Sequence, residues 1–246
     1  MPHKEIVLDE IIRSYRKILE ERYQYDELKK IFTLPNSISE QQIDEIRTYF
    51  LTYIYPDLQK RKELNKAFES LDNYIRKPGK LLKILIDSAP LLFKHGRHLP
   101  KILNSGIRAM RSYREASQFE NQIVRQAMKT NRNPPYDKKT IFSFIKNLPR
   151  KDVDHFIDGT RSLFQILHDR TQVQKIIEIV TFLITKMKSQ PKTYLVEEIK
   201  GLELGLELIE KGNHLFEKLG KENQVQLMDF IVLIETQSLD EIYNEK

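Results

Sequence analysis

The chain has 246 residues, with 41 Lys and Arg against 35 Asp and Glu and a formal net charge of +6. It contains no cysteine, which excludes a disulfide framework and thiolate chemistry. Its longest apolar stretches, such as 195–209, are interrupted by charges, so no segment reads as a bilayer span.

Helical periodicity runs through almost the whole chain. Between residues 5 and 32, Val7, Leu8, Ile11, Ile12, Tyr15, Ile18 and Leu19 recur at three- and four-residue spacings, which is one face of a helix. Leu34-Pro35-Asn36-Ser37 stops it. Ser37 with Glu40, and Ser39 with Gln42, both fit a capping box for a second helix running to about Ile54. Tyr55-Pro56-Asp57 interrupts that helix, and Pro56 fits the first turn of a third, about 57–76, that buries Leu58, Leu64, Phe68, Leu71 and Ile75. Lys77-Pro78-Gly79 is a turn signal.

Residues 80–95 are apolar nearly all round and read as a buried helix, kinked near Pro90 because proline has no N–H for the Ile86 carbonyl. Gly96 fits a C-cap. From Leu99 to about Met128 the pattern is two-faced, with Leu99, Leu103, Ile107 and Met110 on one side and Lys101, Arg108 and Arg111 on the other. The segment 129–137, KTNRNPPYD, is the longest breaker-rich connection. It divides an N-terminal helical half, 1–128, from a C-terminal half, 138–246, the two either separate or packed together. Further helices are expected at 141–148, 153–169 (capped by Asp152), 171–188, 193–211 and 221–236. The expected fold is all-α: about eight to ten helices in a multi-helix bundle or in stacked antiparallel helical hairpins. The windows 92–99 and 208–215 share a Leu, a Gly, a His and a second Leu, a faint echo that reads as a duplicated hairpin or as two segments each stopped by glycine.

Charge is segregated along the chain. Residues 1–75 carry net −2, residues 76–151 net +14, and residues 152–246 net −6. Within 76–114 there are ten basic residues and one acid, Asp87, among Leu81, Leu82, Ile84, Leu85, Ile86, Leu91, Leu92 and Phe93. A basic and apolar surface suits an anionic partner. The alternative is neutralisation within the fold, by pairing with Glu203, Glu207 or Glu210.

Sequence motifs for catalysis are lacking. Gly-x-Ser-x-Gly, HExxH and a Gly-rich phosphate loop do not occur. His95 with His98 supplies two ligands, too few for a metal, and Asp154, His155 and Asp158 read as acids complementing a helix N-terminus. No cofactor, metal or catalytic residue is therefore expected, although a helical bundle can house an enzyme site that no short motif reveals. The expectation is a non-catalytic binding protein whose ligand-binding residues are Lys94, Arg97, Lys101, Arg108 and Arg111. The first-choice partner is an anionic lipid or membrane surface. Nucleic acid is the second, since the basic stretch would supply phosphate contacts but offers only Phe93 and Tyr113 for stacking. An acidic protein is the third. The opening MPHKEIVLDE lacks the apolar run of an export signal, so the expected location is the cytoplasm, with peripheral attachment to a membrane as the extension.

Overall fold

The computed structural model describes residues 4–31, 38–87, 89–95, 99–130, 132–154 and 170–218. These residues form an all-α, multi-helix bundle, with no strand among them. In chain order the helices are α1 (Lys4–Arg22), α2 (Tyr25–Ile31), α3 (Glu40–Tyr49), α4 (Leu58–Ile75), α5 (Pro78–Asp87), α6 (Ala89–His95), α7 (Leu99–Lys129), α8 (Lys138–Lys146) and α9 (Arg170–Lys188). A final helix, α10, covers 196–218, and a helical turn covers 150–154. The expected helix at 153–169 is described only as far as residue 154, and the expected helix at 221–236, the Leu34–Ser37 stop and the Gly96 cap lie outside the described residues.

Side-chain caps open three of the described helices, α3, α4 and α8. The Ser39 hydroxyl accepts from the Gln42 N–H while the Gln42 side chain accepts from the Ser39 N–H, so the capping box forms as expected. Asp57 caps α4 by accepting from Lys60 N at 2.9 Å, and Asp137 caps α8 by accepting from Thr140 N at 2.8 Å. Pro56 therefore precedes the α4 cap instead of occupying its first turn. Asp152 lies inside the 150–154 turn, its N–H donating to the Pro149 carbonyl at 2.9 Å, and does not open that helix.

Several expectations are corrected. The single helix foreseen over 5–32 is two, parted at Tyr23-Gln24 without proline or glycine. Tyr23 is 2% exposed and stacks on Phe50 at 5.3 Å, so burial in a tertiary cluster redirects the chain there. The helix after Ser39 ends in a π-helical turn, Phe50–Ile54, whose last carbonyls are reached by Arg16: its Nη1 donates to Leu51 O and Tyr55 O. The 80–95 helix is α5 followed by α6, with Pro90 the second residue of α6, where its missing N–H leaves no helical bond unmade. It is also not buried all round. Ile84 and Leu91 are core, but Leu82 and Ile86 are 57% and 63% exposed. The helix foreseen at 193–211 runs on to 218 through a buried Gly212, so Gly212 is not a stop and the echo with 92–99 loses that feature.

α7, about 46 Å long at 1.5 Å per residue, is the central rod, with α1, α4, α8 and α9 against it. Four apolar clusters form the core. One joins Tyr23, Ile43, Ile46 and Phe50 to Leu208, Leu215 and Phe216 of α10. A second joins Val7 and Ile11 of α1 to Ile123 and Val124 of α7 and Ile141 and Phe144 of α8. A third joins Tyr74, Ile84 and Leu91 to α9 through Val173, Ile176 and Leu183. The fourth places Met110 of α7 among Leu64, Phe68, Leu71 and Leu204. α10 lies close to α4: a Cβ built on Gly201 would stand 2.8 Å from the Ala67 carbonyl oxygen.

Candidate anion-facing surface

The basic stretch begins at the C-terminal end of α4 and continues through α5, α6 and the first half of α7. Of the five sequence-predicted residues, Arg97 lies outside the described residues, and Lys101 lies in α7 with its side chain outside them. Lys94, on α6, is exposed but engaged: its Nζ stands 2.5 Å from Glu178 Oε1 of α9. Arg108 is exposed and makes no ion pair or hydrogen bond among the described residues. Arg111 faces α4, with Nε 3.6 Å from Asp72 Oδ1. The structure thus sets Arg108 and Arg111 on one helix and Lys94 on another.

Neutralisation within the fold takes partners the sequence reading did not foresee. Glu203 pairs with Lys188 at 2.7 Å, and Glu207 accepts from the Tyr53 hydroxyl at 3.2 Å. Among the described residues, Glu178, Asp87 and Asp72 are the acids that meet the basic stretch. Lys83 Nζ lies 3.4 Å from Asp87 Oδ2 and 5.7 Å from the Tyr194 ring centroid. The Tyr194 hydroxyl donates to the same Asp87 oxygen at 2.7 Å. Burial first, and then that hydrogen bond, hold the Tyr194 hydroxyl well above its ordinary pKa, so it stays protonated as a donor. Lys80 sits over the Tyr74 ring at 5.3 Å, a cation–π contact.

Asp72 is the centre that sequence reading missed. It is 0% exposed, on α4, and three guanidiniums converge on it. Arg76 directs Nε and Nη2 to Oδ2, each at 3.0 Å, and Arg114 Nη1 reaches the same oxygen at 2.5 Å. Arg111 approaches Oδ1 but stays beyond hydrogen-bond distance. The only foreshadowing in sequence was the i, i+4 spacing of Asp72 and Arg76; the α7 arginines are about forty residues further along.

Apolar side chains lie beside these cations. Leu82 and Ile86 occupy one ridge of α5, a turn apart and opposite the buried Ile84. The Tyr194–Asp87 bond brings Leu195 and Val196, 60% and 76% exposed, to the end of α5 that carries Ile86. Lys77 and Pro90 are exposed on the same segment. Met110, on the contrary, is 7% exposed and belongs to the core, so the apolar side of α7 does not face outward there.

Elsewhere, a small cavity between α1, α4, α7 and α8 is lined by Ile11, Tyr15 and Phe119 and floored by an Arg61–Glu120 ion pair. Burial raises the Glu120 carboxyl above its ordinary value, and Arg61 partly opposes that. Among the described residues no three His, Asp or Glu side chains gather as metal ligands, and no helix is long and apolar enough to cross a membrane. No protein-family model, curated protein or solved structure matches this chain.

Proposed function

We propose that the protein binds rather than catalyses, and that its α4–α7 surface attaches it to an anionic membrane. The observation that carries this reading is the exposed Leu82–Ile86 ridge set within the most basic part of the chain. An amphipathic helix attaches to a membrane by laying its apolar residues at the headgroup boundary while neighbouring cations meet anionic lipid. Here α5 supplies the apolar ridge, and Lys77, Lys80 and Arg108 supply charge that no acid takes up among the described residues. Each such cation contributes about 1 kcal/mol near an anionic leaflet, and each half-exposed Leu or Ile about as much again on burial. The sum supports reversible attachment.

Co-sedimentation with phosphatidylserine-containing vesicles tests it. Wild type is expected to sediment at low salt and to be released at high salt, where charges are screened. Leu82→Ser with Ile86→Ser is expected to weaken vesicle binding but leave a DNA gel shift unchanged, because only the membrane engages the ridge. Lys77→Glu with Arg108→Glu is expected to weaken both. Wild type that ignores anionic vesicles at low salt, or a serine pair that binds them as wild type does, overturns the reading. A gel shift that exceeds vesicle binding transfers the surface to nucleic acid.

A further inference from the structure

We infer that the guanidiniums of Arg76, Arg111 and Arg114, gathered around Asp72, form a binding site for a phosphate monoester. The inference stands apart from the membrane reading, and the two meet only where the phosphate is carried on a lipid.

Charge is the first argument. Three guanidiniums lie within 3.6 Å of a single carboxylate, so the group of four carries net +2. Arginine stays protonated, so this excess is not relieved by losing a proton. A phosphate monoester carries close to −2 near neutral pH, which matches the excess.

Geometry is the second. Asp72 is a buried post that fixes the cations from beneath, while the Arg76, Arg111 and Arg114 side chains are 60%, 50% and 30% exposed above it. Two N–H groups of Arg76 and one of Arg114 face Asp72, and a guanidinium has five donors. The three guanidiniums make no other hydrogen bond among the described residues. Among the described residues Arg111 is held only by the 3.6 Å approach to Oδ1, an oxygen that itself accepts no hydrogen bond. A cluster built only to neutralise Asp72 needs one arginine at hydrogen-bond distance. The second and third add repulsion, which a divalent anion across the open side removes. The arginine fork matches phosphate oxygens in pairs, which a lysine ammonium does not.

The test is a titration of the full chain with inorganic phosphate, followed by calorimetry or by NMR of the arginine side chains. Saturable one-to-one binding is expected. Arg111→Gln is expected to weaken it about tenfold or more, the scale of a lost charge-assisted hydrogen bond. Arg111→Lys, which keeps the charge and loses the fork, is expected to fall between. Arg111 makes one long contact among the described residues, so both variants should fold, and their unfolding curves check that. Vesicles then separate the sources. Preference for a phosphomonoester lipid over phosphatidylserine at equal surface charge, lost in Arg111→Gln, identifies a lipid headgroup. Phosphate binding without that preference identifies a soluble phosphate. No saturable binding, or binding unchanged in Arg111→Gln, overturns the site, and phosphatidylserine attachment through the α5 ridge would still stand.

Discussion

At the scale of single residues, Arg61 and Glu120 form a buried ion pair. They are 4% and 14% exposed, as residue and as side chain respectively, and Arg61 also reaches the Pro56 carbonyl. Arg61→Leu leaves a buried carboxylate uncompensated, so a loss of about 3–5 kcal/mol is expected in urea unfolding at about pH 7. The pH dependence has a definite sign. Burial raises the Glu120 value in the folded state above its ordinary 4.5, so the folded chain binds more protons than the unfolded chain between those two values. The stability tied to this group is complete below about pH 4.5 and is lost as pH rises through the folded value. Arg61 opposes the raise, so its removal enlarges it. Arg61→Leu should therefore regain stability relative to wild type as pH falls from about 7 to about 5, and an equal deficit at both would refute this account. Legibility at this scale follows sequence distance. The Ser39–Gln42 box spans three residues and could be read directly. Asp72 with Arg111 and Arg114, and Arg61 with Glu120, join residues of α4 and α7, and no spacing rule reaches across two helices.

Between elements, the approach of α10 to α4 is set by two glycines a turn apart whose surroundings differ. A Cβ on Gly201 would meet backbone, 2.8 Å from Ala67 O, which cannot swing aside. At Gly205 it would meet Phe68 Cε1 at 3.8 Å, ordinary contact. Gly201→Ala is expected to destabilise by about 1–2 kcal/mol, because overpacking of about 1–3 kcal/mol outweighs the helix-propensity gain of up to about 1 kcal/mol. Gly205→Ala keeps that gain without the clash and should be neutral or stabilising. Chemical denaturation of the two variants decides it; equal effects would mean that the helices do not approach closely at Gly201. The sequence showed that α5 is apolar around its circumference but not how much of it is covered. Coverage depends on α9 and Tyr194, which pack the Ile84 side and leave Leu82 and Ile86 outward. The Tyr23-Gln24 break was hidden for a similar reason, since burial of a tyrosine, not a breaker residue, makes it.

Across the whole molecule, the apolar clusters thread distant parts of the chain together. Val7 and Ile11 share a cluster with Ile141 and Phe144, and Ile43 and Phe50 share one with Leu215 and Phe216. The same interleaving spreads charge: Glu197 pairs with Lys66 of α4 and Glu203 with Lys188 of its own third, so the acidic C-terminal third does not serve only to cancel the basic middle. Among the described residues the acids that meet the basic α4–α7 surface are Glu178, Asp87 and Asp72, while Lys77, Lys80 and Arg108 meet none. With clusters shared in this way, neither side of the 129–137 connection keeps a complete core when separated. Calorimetry of the intact chain should show one transition, with calorimetric and van't Hoff enthalpies in agreement. A fragment of residues 1–128 loses Ile141, Phe144 and Ile145 from beside Ile11 and Val124, and it loses Leu215 and Phe216 from beside Phe50. It is expected to keep helical circular dichroism while losing cooperative unfolding and binding a hydrophobic dye, the behaviour of helices without fixed packing. A cooperatively melting 1–128 fragment would show instead that the N-terminal helices close a core of their own.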